Sequence, residues 1–379
     1  MKPVVVLGAT GSIGRQTLEV AGRLGLPVAA IAARRGSDDL HRLAADHPDA
    51  RIAVAAPTGE ERERLAVLGE RISFGPEAVA EAAALPGSVV VNGIVGSAGL
   101  EASVAALRAG NRLALANKES LVAGGPVVEA ARRAGGGELI PVDSEHSALF
   151  QCLTGEDPDR VRRLILSASG GPFRGRTAAD LAAVTVAEAL DHPTWSMGRR
   201  ITVDSATMMN KAFEVIEAHL LFGIPYDRID IVVHPQSVVH SLVEFVDGSI
   251  KAQLGEPDMR VPIQYALTYP GRAAGTVPPF DFRDRTLTFE EPDHEAFPAL
   301  GLGYRAGTAG GSAPAVLNAA DEVAVQAFLD GRIGFSSIPV VVERTLDRMP
   351  PQEVATVAEV LTADRAARAV AAGQIGCSC

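Results

Sequence analysis

The chain has 379 residues, of which 47% are hydrophobic and 21% charged, a composition that fits two or three folded domains and excludes a disordered protein. Its net charge of −11 argues against general nucleic-acid binding, which needs a basic surface, but allows a local basic pocket. Three cysteines give no disulfide framework, and no apolar stretch is long enough to span a membrane. We therefore expect a cytoplasmic protein without a membrane partner, whose terminal Cys377 and Cys379 are spare thiols.

The N-terminal part alternates between short apolar strands and helical segments. Strands are predicted at 4–7, 27–33, 51–55, 88–91, 112–115 and 138–142, and helices at 12–23, 38–45, 101–109 and 127–133. This spacing is typical of βαβ units, which build a parallel sheet with helices on both faces. The sequence predicts a doubly wound, Rossmann-like α/β domain over residues 1–143.

A different pattern follows. Strands are predicted at 162–167 and 229–234, a hairpin at 241–245 and 250–254, and helices at 177–183 and 207–222, which together indicate an α+β domain over residues 144–268. Residues 269–292 are rich in Pro, Gly and Arg and are predicted to be a linker. Helical spacing at 313–329, 337–348 and 351–372 predicts a C-terminal helical bundle over residues 293–379.

The glycine-rich segment GATGSIG, residues 8–14, directly follows the first strand and opens a helix. Glycines let a pyrophosphate approach the backbone, and a helix N-terminus offers free N–H groups. Arg34 and Arg35 follow the second strand, where arginine accommodates a 2′-phosphate and an acid would hold the ribose of NAD. The pattern favours NADP(H); the alternatives are a βα turn without ligand and a solvated basic pair.

Acidic residues follow the last strand of the first domain. Asp143 and Glu145 come directly after the strand, and Asn210 and Glu214 share one face of a later helix. Carboxylates from Asp143, Glu145 and Glu214 would form an all-oxygen site suited to Mg²⁺ or Mn²⁺. The alternative is that these acids are helix caps or solvated charges.

A second small-residue turn, residues 167–173, also follows a strand. With Ser205 and Lys211 it offers the hydroxyls, N–H groups and positive charge that bind a phosphate monoester. A plain connector and a surface lysine are the alternatives. The only tryptophan, Trp195, lies between His192 and Gly198 in a loop that could close over a substrate, whereas His234 and His240 are expected to be structural.

Motifs spread along the chain resemble those of the 1-deoxy-D-xylulose 5-phosphate reductoisomerase family. They are GATGSIG (8–14), ANKES (116–120), VDSEH (142–146), SGGPF (169–173), HPTWSMG (192–198), VDSATMMNK (203–211), HPQS (234–237), PDMR (257–260) and LNAADE (317–322). The turn Ala33-Arg34-Arg35 departs from the family pattern because it lacks a glycine, although its basic charge is kept.

The resemblance implies an NADPH domain, a catalytic domain with dimer contacts, a linker and a helical bundle, in a V-shaped homodimer. It implies Asp143, Glu145 and Glu214 as ligands of Mg²⁺ or Mn²⁺. Its implied substrate contacts are Lys118, Ser144, Glu145, Ser169, His192, Trp195, Ser205, Asn210, Lys211 and Glu214. Its implied NADPH contacts are Thr10, Gly11, Ser12, Ile13, Ala33, Arg34, Arg35, Asn117, Glu119 and Gly198.

The implied reaction is a metal-assisted rearrangement of 1-deoxy-D-xylulose 5-phosphate, followed by reduction with NADPH to 2-C-methyl-D-erythritol 4-phosphate. The catalytic residues are expected to be Lys118, Glu145 and His192, with Lys118 polarising an oxygen or assisting proton movement and Glu145 handling a hydroxyl proton. Two alternatives remain at this point: another NADPH oxidoreductase acting on a phosphorylated metabolite, and a non-catalytic NADPH-sensing scaffold. The acidic residues and Lys118 argue against the scaffold.

Overall fold

The computed structural model describes residues 2–195, 197–275 and 277–376; Ser196 of the predicted lid and the terminal Cys377 and Cys379 lie outside them. The chain divides into two compact units. The first comprises Met1–Ser120, Gly125–Ser147 and Asp258–Pro279, and the second Leu121–Gly124, Ala148–Pro257 and Phe280–Cys379. The division of the sequence at residues 143, 268 and 292 stays a prediction.

The strands and helices follow one another in a regular order in the first unit and more irregularly in the second. The strands are β1 (Val4–Leu7), β2 (Val28–Ala33), β3 (Arg51–Val54), β4 (Ile72–Phe74), β5 (Val89–Asn92), β6 (Arg112–Leu115), β7 (Glu138–Pro141), β8 (Val161–Ala168), β9 (Ile229–Val233), β10 (Val239–Phe245) and β11 (Ile250–Leu254). The helices are α1 (Ser12–Arg23), α2 (Asp38–Asp46), α3 (Gly59–Leu65), α4 (Pro76–Ala83), α5 (Leu100–Arg108), α6 (Lys118–Gly135), α7 (Ser144–Leu153), α8 (Ala178–Leu181), α9 (Val186–Leu190), α10 (Arg199–Ala206), α11 (Met209–Phe222), α12 (Arg260–Thr268), α13 (Ala299–Ala309), α14 (Ala313–Leu329), α15 (Ser337–Arg348) and α16 (Val357–Gly376).

The first unit is built on a seven-stranded sheet in the order β4-β3-β2-β1-β5-β6-β7. All of its strand pairs are parallel, and the central strand β1 is buried throughout, because Val4–Leu7 is apolar on both faces. The strand order reverses between β1 and β5. In a doubly wound sheet a ligand crevice opens at this reversal, beyond the carboxyl ends of the strands.

Helix α12 belongs to the first unit although it lies far along the chain. Arg112 on β6 is largely buried and joins the sheet to the end of this helix. Its guanidinium donates to Glu138 (Nε–Oε2 2.6 Å) and to the carbonyl of Tyr269 (Nη1–O 2.7 Å). The buried guanidinium of Arg112, hydrogen-bonded to Glu138 and Tyr269, therefore fixes the C-terminal end of α12 against the sheet.

The second unit combines a four-stranded sheet, in the order β11-β10-β8-β9, with helices. Strands β8 and β9 are parallel, whereas β10 pairs antiparallel with β8 and β11. Helix α14 is the centre of the C-terminal helices, which pack around it, and its apolar residues are almost all buried. Helix α13 packs closely on α11, since a Cβ on Gly303 would lie 2.5 Å from the carbonyl oxygen of Ala212.

The predicted fold class is confirmed, with a Rossmann-like sheet, a second sheet and C-terminal helices. The helix predicted at 207–222 begins only at Met209, because Met208 lies in the left-handed region at φ 63° and separates it from α10, which the sequence prediction omitted. The sequence prediction also omitted α3, β4, α4, α7, α9 and α12. Within the described residues, no helix is both long and apolar enough to cross a bilayer.

Candidate active site

Asp143 immediately precedes helix α7, two residues after the end of strand β7. Its Oδ1 accepts the backbone N–H groups of Glu145 (3.1 Å) and His146 (3.2 Å), as an N-capping carboxylate does. The side chain of Ser144 in turn donates to Glu145 (Oγ–Oε2 3.0 Å). The helix cap thus orients both predicted ligands, so capping and metal binding are compatible roles for Asp143.

Lys118 lies close to Asp143, and the two residues follow neighbouring strands, β6 and β7. It begins helix α6, which follows β6, and its Nζ forms an ion pair with Asp143 Oδ2 although its side chain is only 10% exposed. The fully buried His146 places Nδ1 3.3 Å from Asp143 Oδ1. Two sequential strands therefore bring an ammonium group and a carboxylate together at the carboxyl edge of the sheet.

The glycine-rich segment turns tightly between β1 and α1. Gly8 has a φ of 77°, and a Cβ there would lie 2.7 Å from the carbonyl oxygen of Gly93 at the end of β5. Gly11 caps α1 without any side-chain hydrogen bond. Thr10, Gly11, Ser12 and Ile13 thus present a backbone cradle at the strand-order reversal, which fits a dinucleotide pyrophosphate.

The two arginines after β2 differ in their surroundings. Arg35 donates through Nε to both carboxylate oxygens of Glu61, each at 3.1 Å. Arg34 is exposed, follows Ala33 at the end of β2, and has no ion-pair partner among the described residues. Arg34 is therefore the more available of the two for a nucleotide phosphate.

Asn117 and Glu119 shape the loop between β5 and α5. Asn117 caps α6 by accepting from Ser120 (Oδ1–N 3.0 Å), and its Nδ2 donates to the carbonyl of Ile94 (2.6 Å) and to Glu119 (2.7 Å). Glu119 also accepts the N–H of Gly96 at 3.0 Å. Both residues therefore hold the backbone beside the nucleotide crevice.

In the second unit, His192 joins two serine hydroxyls. Its Nε2 lies 3.2 Å from Ser169 Oγ and 3.1 Å from Ser205 Oγ. Gly170 and Gly171 have φ values of 83° and 66°, and the N–H of Gly171 donates to Ser169 Oγ. Burial lowers the pKa of His192, so a neutral imidazole and two hydroxyls converge on one point.

The beginning of α11 supplies a second group of polar side chains, formed by Asn210, Lys211 and Glu214. Lys211 Nζ lies 2.5 Å from Glu214 Oε2, and Asn210 Nδ2 donates to Glu214 Oε1 at 2.7 Å. Glu214 is completely buried. No donor among the described residues reaches the buried Oδ1 of Asn210, which is the behaviour expected of an acceptor that awaits a ligand.

Three carboxylates are predicted from the sequence as metal ligands. Asp143 and Glu145 lie at the N-terminal end of α7 in the first unit, and Glu214 is completely buried on α11 in the second. An all-oxygen donor set of this kind fits a hard divalent cation such as Mg²⁺ or Mn²⁺.

The lid residue Trp195 is half-buried, and its backbone N–H donates to His192 Nδ1 at 3.0 Å. Gly198 is exposed and caps α10. The sequence prediction missed a polar cluster of Arg200, Asn318, Asp321 and Glu322, which joins α10 to α14. The only sequence signal for this cluster was the LNAADE motif, residues 317–322, which contains three of its four residues.

Family models match most of the chain. The model described as 1-deoxy-D-xylulose 5-phosphate reductoisomerase matches residues 4–125, that of its C-terminal domain residues 139–222, and that of the DXP reductoisomerase C-terminal domain residues 254–370.

Curated relatives and solved structures agree with these models. The 1-deoxy-D-xylulose 5-phosphate reductoisomerase of Symbiobacterium thermophilum is 51% identical, with 98% of each chain covered, and that of Xanthomonas oryzae pv. oryzae (strain PXO99A) is 53% identical, with 98% of this chain and 96% of the other covered. The Zymomonas mobilis enzyme in complex with NADPH superposes with a TM-score of 0.92 at 45% identity, covering 99% of both chains. A DOX-P reductoisomerase in complex with NADPH, fosmidomycin and magnesium gives 0.93 at 37% identity, covering 99% of this chain and 98% of that one. The chain belongs to the 1-deoxy-D-xylulose 5-phosphate reductoisomerase family.

Proposed function

We propose that the chain converts 1-deoxy-D-xylulose 5-phosphate into 2-C-methyl-D-erythritol 4-phosphate, using NADPH and a divalent metal ion, in isoprenoid precursor biosynthesis. The acids Asp143 and Glu145, with Lys118 paired to Asp143 and Ser144 bonded to Glu145, carry this proposal beyond family membership. A sensing scaffold has no use for such a site, and relatives solved with NADPH and with magnesium favour the reductoisomerase over another oxidoreductase.

The nucleotide is held by the carboxyl ends of β1 and β2. Thr10, Gly11, Ser12 and Ile13 surround its pyrophosphate with backbone N–H groups, and Arg34 meets the 2′-phosphate beside Ala33 and Arg35. Asn117, Glu119 and Gly198 complete its contacts. Bound NADPH supplies the hydride for the reduction.

The phosphate of the substrate is held by Ser169, Ser205, Asn210 and Lys211. Two observations support this: the convergence of both serine hydroxyls on His192 Nε2, and the buried Asn210 Oδ1 that no described donor reaches. A phosphate held at a distance from the reacting carbons contributes binding energy that keeps those carbons in place. Trp195 covers the substrate and excludes water.

The rearranging carbons lie near the carboxylates and Lys118. A divalent cation held by Asp143, Glu145 and Glu214 supplies a Lewis acid that stabilises negative charge on the substrate oxygens. Lys118 Nζ, already paired with Asp143, donates a hydrogen bond to a substrate oxygen, and Ser144 orients Glu145 to accept a hydroxyl proton. His192 keeps its Nε2–H directed at the phosphate group.

The variant Glu214→Gln tests the metal assignment. It removes one anionic ligand, so we expect the Mg²⁺ concentration for half-maximal activity to rise at least about tenfold, with lower turnover. NADPH binding should stay unchanged. The control Glu129→Gln alters a surface acid paired with Arg132 and should leave the titration unaltered. A wild-type metal titration in Glu214→Gln would remove this residue from the metal site.

We also propose that Mn²⁺ can replace Mg²⁺, that the protein acts in the cytoplasm, and that it forms a homodimer. The edge strand β11 supports the dimer, because Ile250 is 53% exposed there and the neighbouring Val246 58%. Light scattering in solution should give twice the mass of one chain; a monomer mass would contradict the dimer.

A further inference from the structure

Helix α14 carries a row of polar side chains that hold Arg200 of helix α10. The Arg200 guanidinium donates to Asn318 Oδ1 (2.8 Å) and Glu322 Oε1 (2.8 Å), with Asp321 Oδ2 at 3.4 Å. Asn318 and Asp321 are completely buried. One guanidinium therefore reaches three residues spread over slightly more than one helical turn, through a rigid planar fork of donors that the single nitrogen of an ammonium group does not reproduce. We call Arg200, Asn318, Asp321 and Glu322 the α10 clamp.

The clamp is tied to a third helix. Arg368 on α16 donates to Glu322 (Nη2–Oε2 2.6 Å) and to Asp364 (Nε–Oδ2 2.7 Å). Burial raises the pKa of Asp321 to about 6, and the charge of Arg200 opposes that rise. Buried ions of this kind rarely add stability relative to apolar side chains, so their value lies in fixing one arrangement of the helices.

Helix α10 has a second fixed contact near its other end. A Cβ on Gly171 would lie 2.8 Å from the carbonyl oxygen of Ser205, so the glycine turn and the end of α10 touch. Ser205 lies about one and a half turns from Arg200. A shift of the helix at the clamp would therefore move Ser205 Oγ relative to His192 and Ser169.

We propose that Arg200, Asn318, Asp321 and Glu322 are positioning residues that set the register of α10 and so place the Ser205 hydroxyl for phosphate binding. This inference rests on the proposed phosphate role of Ser205. None of the four residues needs to touch the substrate.

The variant Arg200→Lys tests the inference in the full-length protein, since it keeps the charge and loses the fork. We expect the KM for 1-deoxy-D-xylulose 5-phosphate to rise about fivefold or more, with the NADPH dissociation constant unchanged. The control Arg305→Lys makes the same exchange in the surface pair with Asp347 and should leave the KM unaltered. If Arg200→Lys fails to fold, Asp321→Asn serves as a second variant because it preserves the shape of the side chain. We expect it to raise the KM for 1-deoxy-D-xylulose 5-phosphate by a smaller factor.

A double-mutant cycle with Ser205→Ala distinguishes positioning from general loosening. If the clamp acts through Ser205, its variants should raise the KM in the wild-type background and have little further effect in Ser205→Ala. Full additivity, an unchanged KM or an equal loss of NADPH affinity would overturn the inference while leaving the proposed function intact. If Ser205→Ala alone leaves the KM unchanged, the phosphate role of Ser205 fails, and the inference fails with it.

Discussion

His192 accepts two backbone hydrogen bonds through Nδ1, from Thr194 (3.1 Å) and Trp195 (3.0 Å). An acceptor at Nδ1 places the proton of the neutral ring on Nε2, the atom that faces Ser169 and Ser205. Protonation would add a hydrogen to Nδ1, the second N–H of the ring, and break both bonds to the lid backbone. Burial lowers the pKa of His192, so it disfavours the charged ring just as the two backbone hydrogen bonds do.

We therefore expect the ring protons of His192 to titrate below pH 6.5 in an NMR experiment, with the resonance assigned by its loss in His192→Asn. The ring is then neutral at pH 7 and becomes charged only as the pH falls, at which point the Thr194 and Trp195 amide signals should shift. A midpoint at or above pH 6.5 would contradict the lowered pKa of His192.

Arg34 and Arg35 also differ as single residues, since Glu61 engages only Arg35. We expect Arg34→Gln to weaken NADPH binding by about tenfold and to leave NADH binding unaffected, because only NADPH carries the 2′-phosphate. The matched variant Arg35→Gln should have the smaller effect. Equal losses for NADPH and NADH in Arg34→Gln, measured by fluorescence titration, would contradict the assignment.

At the scale of elements, helix α1 depends on a close approach to the loop that precedes it. A Cβ on Gly14 would lie 2.4 Å from both Ala9 Cα and the carbonyl oxygen of Gly8. A Cβ on Gly22 would have no atom within 4 Å. Both glycines belong to the same helix. Of these two glycines, only Gly14 is therefore required for the geometry of the nucleotide cradle.

These two positions make a matched pair. Gly14→Ala should lower the melting temperature and weaken NADPH binding, because backbone atoms must move. Gly22→Ala should stabilise the protein by about 0.5–1 kcal/mol, the ordinary advantage of alanine over glycine in a helix. Thermal unfolding and NADPH titration of both variants check this; equal behaviour of the pair would contradict the close approach.

Local sequence signals explain which elements could be predicted. Strands β1 and β6 are short apolar runs, and the turn at Asp247-Gly248 marks the hairpin of β10 and β11. Helix α6 starts at Lys118, nine residues before the predicted residue 127. The prediction was wrong because Gly124, Gly125 and Pro126 suggest a helix boundary, whereas the helix of the folded protein continues through them. Met208 breaks a helix without glycine or proline, so no local signal announces it.

At the scale of the whole molecule, the parts of the site that could be predicted follow strands. Asp143 and the glycine-rich segment both lie at carboxyl ends of parallel strands, where ligand crevices form in any doubly wound sheet. The α10 clamp could not be predicted, because Arg200 and Asp321 are 121 residues apart and meet only after folding. The same holds for Arg112 and Tyr269, which join α12 to the sheet.

The oxidation of NADPH by the purified protein, followed by absorbance, is the first test of the proposed metal-dependent reaction. We expect oxidation that requires both 1-deoxy-D-xylulose 5-phosphate and Mg²⁺, stops when the metal is chelated, and returns when Mg²⁺ is restored. Oxidation that continues at full rate after chelation would contradict the metal role of Asp143, Glu145 and Glu214. No oxidation with substrate, metal and normally bound NADPH all present would contradict the proposed reaction.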